Sequence, residues 1–509
     1  MSFDANRADL TIGVLGSGAM GRGIVQVAAA GGINVLMMDA KPGAAAEARE
    51  FIGKMLQRAA EKGSMSKGDA DAALARIKIV DALTDFKPCH AVIEAVVENL
   101  DVKRQVFGEL ESIVAADCIL ASNTSSLSVT TIAAKLKTPQ RFAGFHFFNP
   151  VPLMRLVEVI AGLQTEEWVC EALTVIGKRM TREPVRCTDA PGFLVNQVGR
   201  GFTLEASHLV YEGISTFADV DRVMRDVCGF RMGPFELMDL TGLDVTQPAS
   251  KMICDQFFGE PRYRPNLIMQ SRYEAGVLGR KTKNGFYKYD AEMKPSVPAE
   301  APAPAARPDS VWISKADAKG HAALSELLSK LGANVESGAK PSAKALCLVT
   351  PVGDDATHTA IEQGLDPKRT IAVDTLFPMV KRRTIMTTSV TDAAFRDAAH
   401  GLLASDGVPV TVCHDSPGFI AQRIVAMIVN IGASIAQSRT AVPADIDKAV
   451  TLGLNYPNGP FRFADTLGVD RVHQVLSAMY RIYGDTRYRP VIWLTRRAKL
   501  GVSALTPEA

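Results

Sequence analysis

Two stretches of this chain repeat each other at a constant offset. Residues 189–196 read DAPGFLVN and residues 415–422 read DSPGFIAQ, 415 − 189 = 226 positions apart. A further Gly-Pro-Phe, two aspartates and a glycine return at the same offset, and Arg-Tyr-Arg-Pro at 225, first occurring at Gly233–Phe235, Asp239, Asp244, Gly242 and Arg262–Pro265. Such a steady offset indicates a duplicated domain. The chain must therefore build one fold twice.

A chain of 509 residues is also too long for one core, at roughly 150 residues per domain. In residues 1–187 short apolar runs alternate with amphipathic stretches, which predicts a doubly wound α/β sheet of Rossmann type. Helical spacing predicts an all-helical domain over 188–290, and an Ala/Pro-rich segment predicts an extended linker at 291–309. A degenerate Rossmann-like unit is expected at 310–412, followed by the second all-helical domain at 413–509.

Composition narrows the class of protein. A hydrophobic content of 47%, a charged content of 22% and a net charge of +2 are typical of a soluble globular protein and give no reason to expect nucleic acid or a membrane surface as partner. The eight cysteines lack metal-ligand spacing, which predicts buried reduced thiols and no metal site. Because the chain shows neither a leader pattern nor a spanning apolar run, we expect a cytoplasmic enzyme.

A glycine-rich turn follows the first predicted strand and opens a helix. It reads Gly16-Ser17-Gly18-Ala19-Met20-Gly21. The first two glycines allow a tight turn and close approach to a pyrophosphate, the third allows close helix packing, and the helix N-terminus offers free N–H groups. Asp39 ends the next strand, where a carboxylate accepts hydrogen bonds from a ribose and repels a 2′-phosphate. We therefore expect NAD rather than NADP, although Lys41 lies close by.

An imidazole is expected at the end of a later strand. His146 stands among aromatic residues in FHFFNP, and Glu158 follows 158 − 146 = 12 residues later in the strand-like run LVEVI. A histidine between phenylalanines is more often a core residue than a catalytic one. The two residues alone leave the chemistry open.

Seven ordered motifs resemble those of the 3-hydroxyacyl-CoA dehydrogenases. They cover nearly all of residues 10–290 and read GSGAMG, EAVVENLDVKRQVF, ASNTSSL, GFHFFNPVPLMRLVEVI, DAPGFLVNQ, GPFELMDLTGLD and GRKTKNGFYKY. The resemblance implies the reversible oxidation of an (S)-3-hydroxyacyl-CoA to the 3-ketoacyl-CoA with NAD, as in fatty-acid β-oxidation.

The resemblance also implies catalytic roles. His146 matches the general base that accepts the proton of the 3-hydroxyl, and Glu158 matches the acid that orients the ring and stabilises the imidazolium. Ser125 and Asn196 match polar residues at the substrate oxygens and the nicotinamide.

Four further residues match binding positions of the family. Glu98, Lys103 and Asn149 match cofactor contacts on the nicotinamide side. Lys62 matches a lysine that meets the CoA portion, where an ammonium can pair with phosphate.

The second half is expected to be catalytically silent. Counting back from the second Pro-Gly turn puts Ala372 at the place of His146, and Gln422 replaces the shorter Asn196. Since the helical domains of this family associate in pairs between subunits, we expect the second copy to pair with residues 188–290. The protein is then a homodimer, or a monomer with an internal pseudo-dimer.

Three alternative readings compete with this one. A β-hydroxyacid dehydrogenase acting on a free acid uses a lysine in its helical domain, but residues 191–200 contain none. A non-catalytic NAD-binding homologue would retain the fold without its chemistry. If the chain were the dehydrogenase part of a multifunctional protein, we would expect a hydratase-like segment before Met1. Because the sequence shows none, a separate enzyme is expected. The long form is similar to enzymes of phenylacetate breakdown that use 3-hydroxyadipyl-CoA and to 3-hydroxybutyryl-CoA enzymes, and that choice stays open.

Overall fold

The computed structural model describes residues 3–508, and the chain forms two compact units. Unit 1 contains the chain up to Asn196 together with Ser438–Leu454. Unit 2 contains Gln197–Gln437 and the chain from Asn455 onward. The predicted domains are consecutive in sequence, whereas unit 1 also includes one short segment of the second helical copy.

An eight-stranded sheet forms the centre of unit 1, in the order β3-β2-β1-β4-β5-β6-β7-β8. Its strands are β1 (Thr11–Leu15), β2 (Asn34–Met38), β3 (Ile77–Ile79), β4 (Ala91–Glu94), β5 (Ile119–Ser122), β6 (Phe142–Phe147), β7 (Leu156–Ala161) and β8 (Glu183–Thr188). Neighbours are parallel except for the antiparallel pair β6–β7. The strand order reverses between β1 and β4, the place where open α/β sheets bind ligands.

Six helices accompany this sheet in the described part of unit 1 before Asn196. They are α1 (Ala19–Ala30), α2 (Ala44–Glu61), α3 (Lys67–Ala75), α4 (Leu100–Ile113), α5 (Val129–Ala133) and α6 (Glu167–Arg179). Apolar side chains of the strands and of α1, α2 and α6 form one buried core. The predicted Rossmann-type fold is confirmed.

Two sets of five helices show the duplication directly. The first set is α7 (Val195–Tyr211), α8 (Phe217–Asp226), α9 (Pro234–Thr241), α10 (Leu243–Gln256) and α11 (Leu267–Glu274). After α12 (Ala318–Lys330), α13 (Ala356–Glu362) and α14 (Ala393–Leu403), the second set is α15 (Ala421–Gln437), α16 (Pro443–Gly453), α17 (Pro460–Leu467), α18 (Val469–Tyr483) and α19 (Ile492–Leu500). The first four helices of each set start 226 residues apart and the fifth pair 225 apart.

The repeated Pro-Gly-Phe turn has the same backbone conformation in both copies. Gly192 and Phe193 have φ of +75° and +49°, and Gly418 and Phe419 have +79° and +48°. Left-handed φ values favour glycine and are uncommon for phenylalanine. The repeated stretch therefore preserves a strained turn that starts α7 and α15.

The second sheet, in unit 2, has the order β13-β12-β11-β10-β9. Its strands are β9 (Val311–Ile313), β10 (Leu346–Val349), β11 (Thr370–Val373), β12 (Arg383–Thr387) and β13 (Val410–Cys413). The pair β11–β12 is antiparallel and the other pairs are parallel, as in the half-sheet from β4 to β8. Counterparts of β1, β2 and β3 are missing from the described residues, which explains why this unit has no glycine loop.

The sheet register corrects the predicted counterpart of His146. Cys187 pairs with Ile160, and Cys413 pairs with Met386, so β12 and β13 keep the offset of 226. Continuing the β11–β12 pairing places Asp374 opposite Thr384, the counterpart of Glu158, and the Asp374 N–H donates to the Thr384 carbonyl. The prediction of Ala372 was wrong because the paired positions are 384 − 374 = 10 residues apart, against 12 for His146 and Glu158.

The Ala/Pro-rich segment contains no helix or strand from residue 297 to 308, and it is anchored. Glu300 forms ion pairs with Arg382 at 2.7 Å and with Arg222 at 3.2 Å. The linker therefore follows a defined path along unit 2.

Helix α16 of the second set packs on β7 and β8 in unit 1. The Thr188 N–H at the end of β8 donates to the Thr440 carbonyl at 2.9 Å. A Cβ on Gly453 would lie 2.9 Å from side-chain atoms of Leu156 and Val195. The second copy therefore supports the strand that carries Glu158.

Candidate active site

The glycine-rich turn lies between β1 and α1, and its three glycines meet different constraints. Gly16 has φ of +97°, and a Cβ there would lie 2.5 Å from the Ala95 carbonyl oxygen. A Cβ on Gly21 would lie 1.8 Å from the Gly16 carbonyl oxygen, whereas one on Gly18 would meet no atom within 4 Å. Gly18 is also the N-cap of α1 and supplies no side-chain cap. The space at Gly18 and the uncapped helix N-terminus, with Ala19 and Met20 in its first turn, fit a pyrophosphate.

Asp39 stands at the end of β2 and is tied to the same turn. Its Oδ2 accepts hydrogen bonds from the Ser17 N–H at 2.6 Å and the Ser17 hydroxyl at 2.7 Å. Burial alone would raise the pKa of Asp39, but the hydrogen bonds from Lys41 and Ser17 outweigh burial and lower it. The carboxylate lines an open cavity of about 490 Å³ beside Gly18. These residues fit an adenosine ribose.

The antiparallel pair β6–β7 brings His146 and Glu158 together. They are directly opposite in the register, and His146 Nδ1 lies 2.7 Å from Glu158 Oε2. Both side chains are buried, with 5% and 0% of their surfaces exposed. Within residues 3–508, Nε2 of His146 has no hydrogen-bond partner, so this nitrogen is the one left for a substrate.

Glu158 is held by the start of the helical region. Its Oε1 accepts hydrogen bonds from the Leu194 N–H at 3.1 Å and the Val195 N–H at 3.0 Å. These donors lie at the N-terminus of α7, where free N–H groups and the helix dipole favour a carboxylate. The strained Pro-Gly-Phe turn therefore fixes the orientation of the imidazole through Glu158.

Ser125, Asn196 and Asn149 keep their polar side-chain groups free. Ser125 and Asn149 are exposed, and Asn196 is half-buried. Among the described residues none of these three side chains makes a hydrogen bond. Asn196 directly follows Val195, whose N–H donates to Glu158, so its main chain lies next to the residue that holds Glu158. No hydrogen bond joins Ser125 or Asn149 to that pair.

Glu98 organises the loop that carries Ser125. Its Oε1 accepts hydrogen bonds from the Thr124 hydroxyl at 2.6 Å and from the N–H groups of Ser125 and Ser126 at 3.1 and 3.2 Å. Burial favours a raised pKa for Glu98, but the Thr124 hydrogen bond and the charge of Lys103 lower it. Glu98 is therefore ionised at neutral pH.

Lys103 is enclosed by carboxylates. Its Nζ lies 2.6 Å from Glu94 Oε1 and 3.2 Å from Glu98 Oε2, with 1% of the side chain exposed. Lys103 thus supports Glu98 from within the protein.

Sequence reasoning missed Glu94 and Asn123. Glu94 also accepts a hydrogen bond from the Ser122 hydroxyl at 2.6 Å, and the Asn123 side chain accepts one from the Phe147 N–H at 2.8 Å. The available signal was that both stand where a parallel strand ends, at the edge that binds ligands.

Lys62 lies at the C-terminal end of α2, on a second cavity of about 500 Å³. Arg22, Arg58 and Asn149 line the same cavity. Three cations facing one cavity favour an anionic ligand such as a phosphate. The structure therefore places Lys62 and Asn149 at one cavity. The sequence did not predict that these two residues lie close together.

The remaining predictions concern metals, membranes and thiols. Residues 3–508 contain no cluster of three or more side chains able to hold a metal ion. No helix in that range is both long and apolar enough to cross a bilayer. All eight cysteines are buried and free, as predicted.

The fold and site define a class of protein, the NAD-binding oxidoreductases with a histidine–carboxylate pair beside the nucleotide fold. The model of the 3-hydroxyacyl-CoA dehydrogenase NAD-binding domain matches residues 11–190. The model of the C-terminal domain of the same family matches twice, at residues 192–289 and 418–505. The chain belongs to the 3-hydroxyacyl-CoA dehydrogenase family, with a duplicated C-terminal domain.

Individual relatives agree with the family. The chain is 35% identical over 491 residues to the 3-hydroxyadipyl-CoA dehydrogenase of Escherichia coli K12, covering 96% of this chain and 98% of that protein. It is 39% identical over 287 residues to a 3-hydroxybutyryl-CoA dehydrogenase of Mycobacterium tuberculosis, which covers 55% of this chain and 98% of that one. A crystal structure of 3-hydroxybutyryl-CoA dehydrogenase from Escherichia coli K12 superposes with a TM-score of 0.84 at 33% identity, covering 97% and 99% of the two chains.

Proposed function

We propose that this enzyme oxidises the 3-hydroxyl of a short 3-hydroxyacyl-CoA, with His146 as the general base. The observation that carries the proposal is the buried pair of His146 and Glu158, joined at 2.7 Å. NAD, when bound, would supply the acceptor for the hydride that leaves C3. His146 Nε2 accepts the hydroxyl proton, and the Glu158 carboxylate stabilises the imidazolium that forms.

The free polar side chains complete this proposal. The Ser125 hydroxyl and the Asn196 amide can donate hydrogen bonds to the substrate oxygen and to the nicotinamide. Glu98, held by Lys103, serves the ribose on the nicotinamide side, and Asn149 contacts the cofactor nearby. Lys62, with Arg58, pairs with phosphates of CoA. A cytoplasmic location and a place in β-oxidation or phenylacetate breakdown stay predictions.

The test is NADH formation with 3-hydroxyadipyl-CoA and 3-hydroxybutyryl-CoA, supplied as pure S isomers and followed by absorbance. We expect turnover of at least one, and negligible turnover of the R isomers. Absence of NADH with both S isomers would contradict the proposal. Oxidation of the corresponding free acids instead would favour the β-hydroxyacid alternative.

We further propose that the second half is silent and serves as an internal partner. Gln422, the counterpart of Asn196, accepts a hydrogen bond from the Gly353 N–H at 2.9 Å and donates one to Asp374 Oδ1 at 2.9 Å. Burial raises the pKa of Asp374 to about 6. The counterparts of His146 and Asn196 are therefore joined to each other by a buried amide–carboxyl hydrogen bond.

Two equivalent hydrogen bonds support the internal pairing. Thr188 donates to Thr440 within unit 1 at 2.9 Å, and His414 donates to Ile214 within unit 2 at 3.0 Å. Both members of the second bond follow from the first by the repeat, since 188 + 226 = 414 and 440 − 226 = 214. Each helical copy therefore joins the α/β half of the other, as expected for a pseudo-two-fold arrangement.

A charged cluster makes this pairing specific for two unlike copies. Arg423 on α15 is fully buried and pairs with Glu205 on α7 and with Glu212, which directly follows that helix. The counterpart of Arg423 is Gln197, and the counterpart of Glu205 is Ile431. A pair of two first copies would therefore lack the nearest cation partner of the buried Glu205, which is unfavourable.

We expect Arg423→Gln to lower the free energy of unfolding by about 3–5 kcal/mol at neutral pH, because it removes the nearest cation from the buried Glu205 carboxylate and leaves Arg487, at 3.9 Å, as the remaining ion-pair partner. Burial alone would raise the pKa of Glu205, but Arg423 and Arg487 lower it. A carboxyl group whose pKa is lower in the folded than in the unfolded chain stabilises the fold at pH values above its unfolded pKa. That stabilisation is lost as the pH falls through the folded pKa. The deficit of the variant should therefore shrink in acid, as denaturant titrations at several pH values would show.

The matched control is the double variant Arg423→Gln/Glu205→Gln. It should regain part of the stability, because the glutamine at position 205 carries no buried charge that needs a cation. An Arg423→Gln protein as stable as the parent, or a deficit independent of pH, would contradict the assigned role of the cluster.

A further inference from the structure

Arg22 lies in the wall between two cavities of unit 1. It lines the cavity of about 490 Å³ that Gly18 and Asp39 also line, here called the cofactor cavity. It also lines the cavity of about 500 Å³ at Lys62, here called the CoA cavity. Phe51 of α2 is the other residue that lines both. One charged side chain thus faces two ligand-sized spaces.

The guanidinium of Arg22 is held by its face. Its carbon atom lies 4.0 Å from the centroid of the Phe51 ring. Arg22 comes four residues after Gly18, the N-cap of α1, and helical side chains lean towards the N-terminus of their helix. The guanidinium therefore lies beside the turn that fits a pyrophosphate. A guanidinium stacked by its face keeps the N–H donors at its edges for other partners.

In the described part of the chain, no protein group accepts a hydrogen bond from these donors or forms an ion pair with Arg22. Arg272 and Arg497 also lie over aromatic rings, at 4.4 and 3.5 Å, but each of them donates to a main-chain carbonyl. Contacts within the protein explain those two arginines. Arg22 instead offers its donors to two cavities.

The charge of the cavities indicates the class of ligand. The CoA cavity is lined by three cations and, among residues 3–508, by no acidic side chain. In the cofactor cavity Lys54 is already paired with Glu50 at 2.6 Å, which leaves Arg22 and Lys41 as cations for a ligand. Phosphates are the anionic groups of both NAD and CoA, and the planar fork of a guanidinium suits their oxygens.

We propose that Arg22 binds both ligands of the enzyme, donating to the pyrophosphate of NAD in the cofactor cavity and to a phosphate of the acyl-CoA in the CoA cavity. This inference rests on the proposed function, since it assumes that the cavity at Lys62 takes CoA. The five N–H donors of a guanidinium are enough for two phosphates. Arg22 then helps to position cofactor and substrate against each other.

The test measures two dissociation constants separately, that of NADH by fluorescence titration and that of CoA by calorimetry. We expect Arg22→Met to weaken the binding of each ligand by about 10-fold. This is the lower end of the range for a hydrogen bond to a charged group, because Arg22 is half-buried. Methionine keeps an unbranched apolar side chain against Phe51, so the packing at the ring is preserved.

Arg58→Met is the matched control, because it removes the same charge from a residue that lines the CoA cavity and not the cofactor cavity. It should weaken the binding of CoA and leave the dissociation constant of NADH at the parental value. An unchanged affinity for either ligand in Arg22→Met, or an equal loss of NADH affinity in both variants, would overturn the proposal. If Arg22→Met fails to fold, Arg22→Gln is judged by the same two constants.

Dephospho-CoA, which lacks the 3′-phosphate of CoA, identifies the phosphate that Arg22 meets. If Arg22→Met weakens the binding of CoA but not that of dephospho-CoA, Arg22 meets the 3′-phosphate. If it weakens the binding of both by the same factor, Arg22 meets the pyrophosphate of CoA. Either result supports the shared role.

Both constants are measured without turnover, which separates this inference from the proposed function. Loss of both affinities in Arg22→Met would support the shared role even if no 3-hydroxyacyl-CoA is oxidised. NADH formation by the parent, together with an unchanged CoA affinity in Arg22→Met, would overturn the shared role and leave the dehydrogenase reaction intact. Failure of the parent to bind CoA would overturn both.

Discussion

Replacing His146 with glutamine is expected to lower kcat for NADH formation by about 10²- to 10⁴-fold, the usual contribution of a general base. Glutamine can still donate a hydrogen bond to Glu158, so the buried carboxylate keeps a partner. It has no nitrogen that accepts a proton near neutral pH. Because His146 is not assigned to NAD binding, the affinity for NADH, measured by fluorescence titration, should match that of the parent.

His358 offers a matched control for this substitution. Its Nδ1 lies 2.8 Å from Asp355 Oδ2 in the degenerate unit, so it is also a histidine paired with a carboxylate. His358→Gln should retain the kcat of the parent. Retention of kcat by His146→Gln, or a loss of equal size in the two variants, would rule out His146 as the base.

Replacing Glu158 with glutamine is expected to lower kcat by a similar factor, about 10²- to 10⁴-fold. The N–H groups of Leu194 and Val195 both point at Oε1, so the amide oxygen of the glutamine must occupy that place. Its NH₂ group then faces His146 Nδ1 and donates to it. The ring is forced to carry its proton on Nε2, the nitrogen that must accept the substrate proton.

The double variant His146→Gln/Glu158→Gln tests whether the two residues act as a unit. We expect it to be about as slow as either single variant, because residues of one catalytic unit are not additive. Glu183→Gln, which removes a carboxylate paired with Arg155 on the protein surface, should leave kcat unchanged. Losses that add up fully in the double variant would show that Glu158 acts independently of His146.

Much of the candidate site could be predicted because its signals are local. The glycine-rich turn, the helix after it and Asp39 lie within one strand–helix–strand stretch, where chain connectivity fixes their positions. His146 and Glu158 stand on successive strands, and their twelve-residue spacing suits an antiparallel connection. Family resemblance supplied their roles, since spacing alone did not distinguish a catalytic histidine from a core one.

Other parts could not be predicted, because they depend on contacts between distant segments. Counting residues from a shared turn misplaced the counterpart of His146, since a loop two residues shorter moves the register to Asp374. The motif around Lys103 showed a positively charged residue, but it did not predict the ion pair with Glu94, which stands at the end of β4.

The sequence by itself determined the duplication, the nucleotide-binding half and the absence of a glycine-rich turn from the second copy. Repeats, periodicity and glycine patterns are properties of neighbouring residues, and they survive without knowledge of packing. Only the tertiary structure decided that α16 packs on the strand bearing Glu158 and that Arg423 joins the two helical copies. Burial and charge pairing are set by whichever distant side chains fill the surrounding space, and a linear pattern does not contain that information.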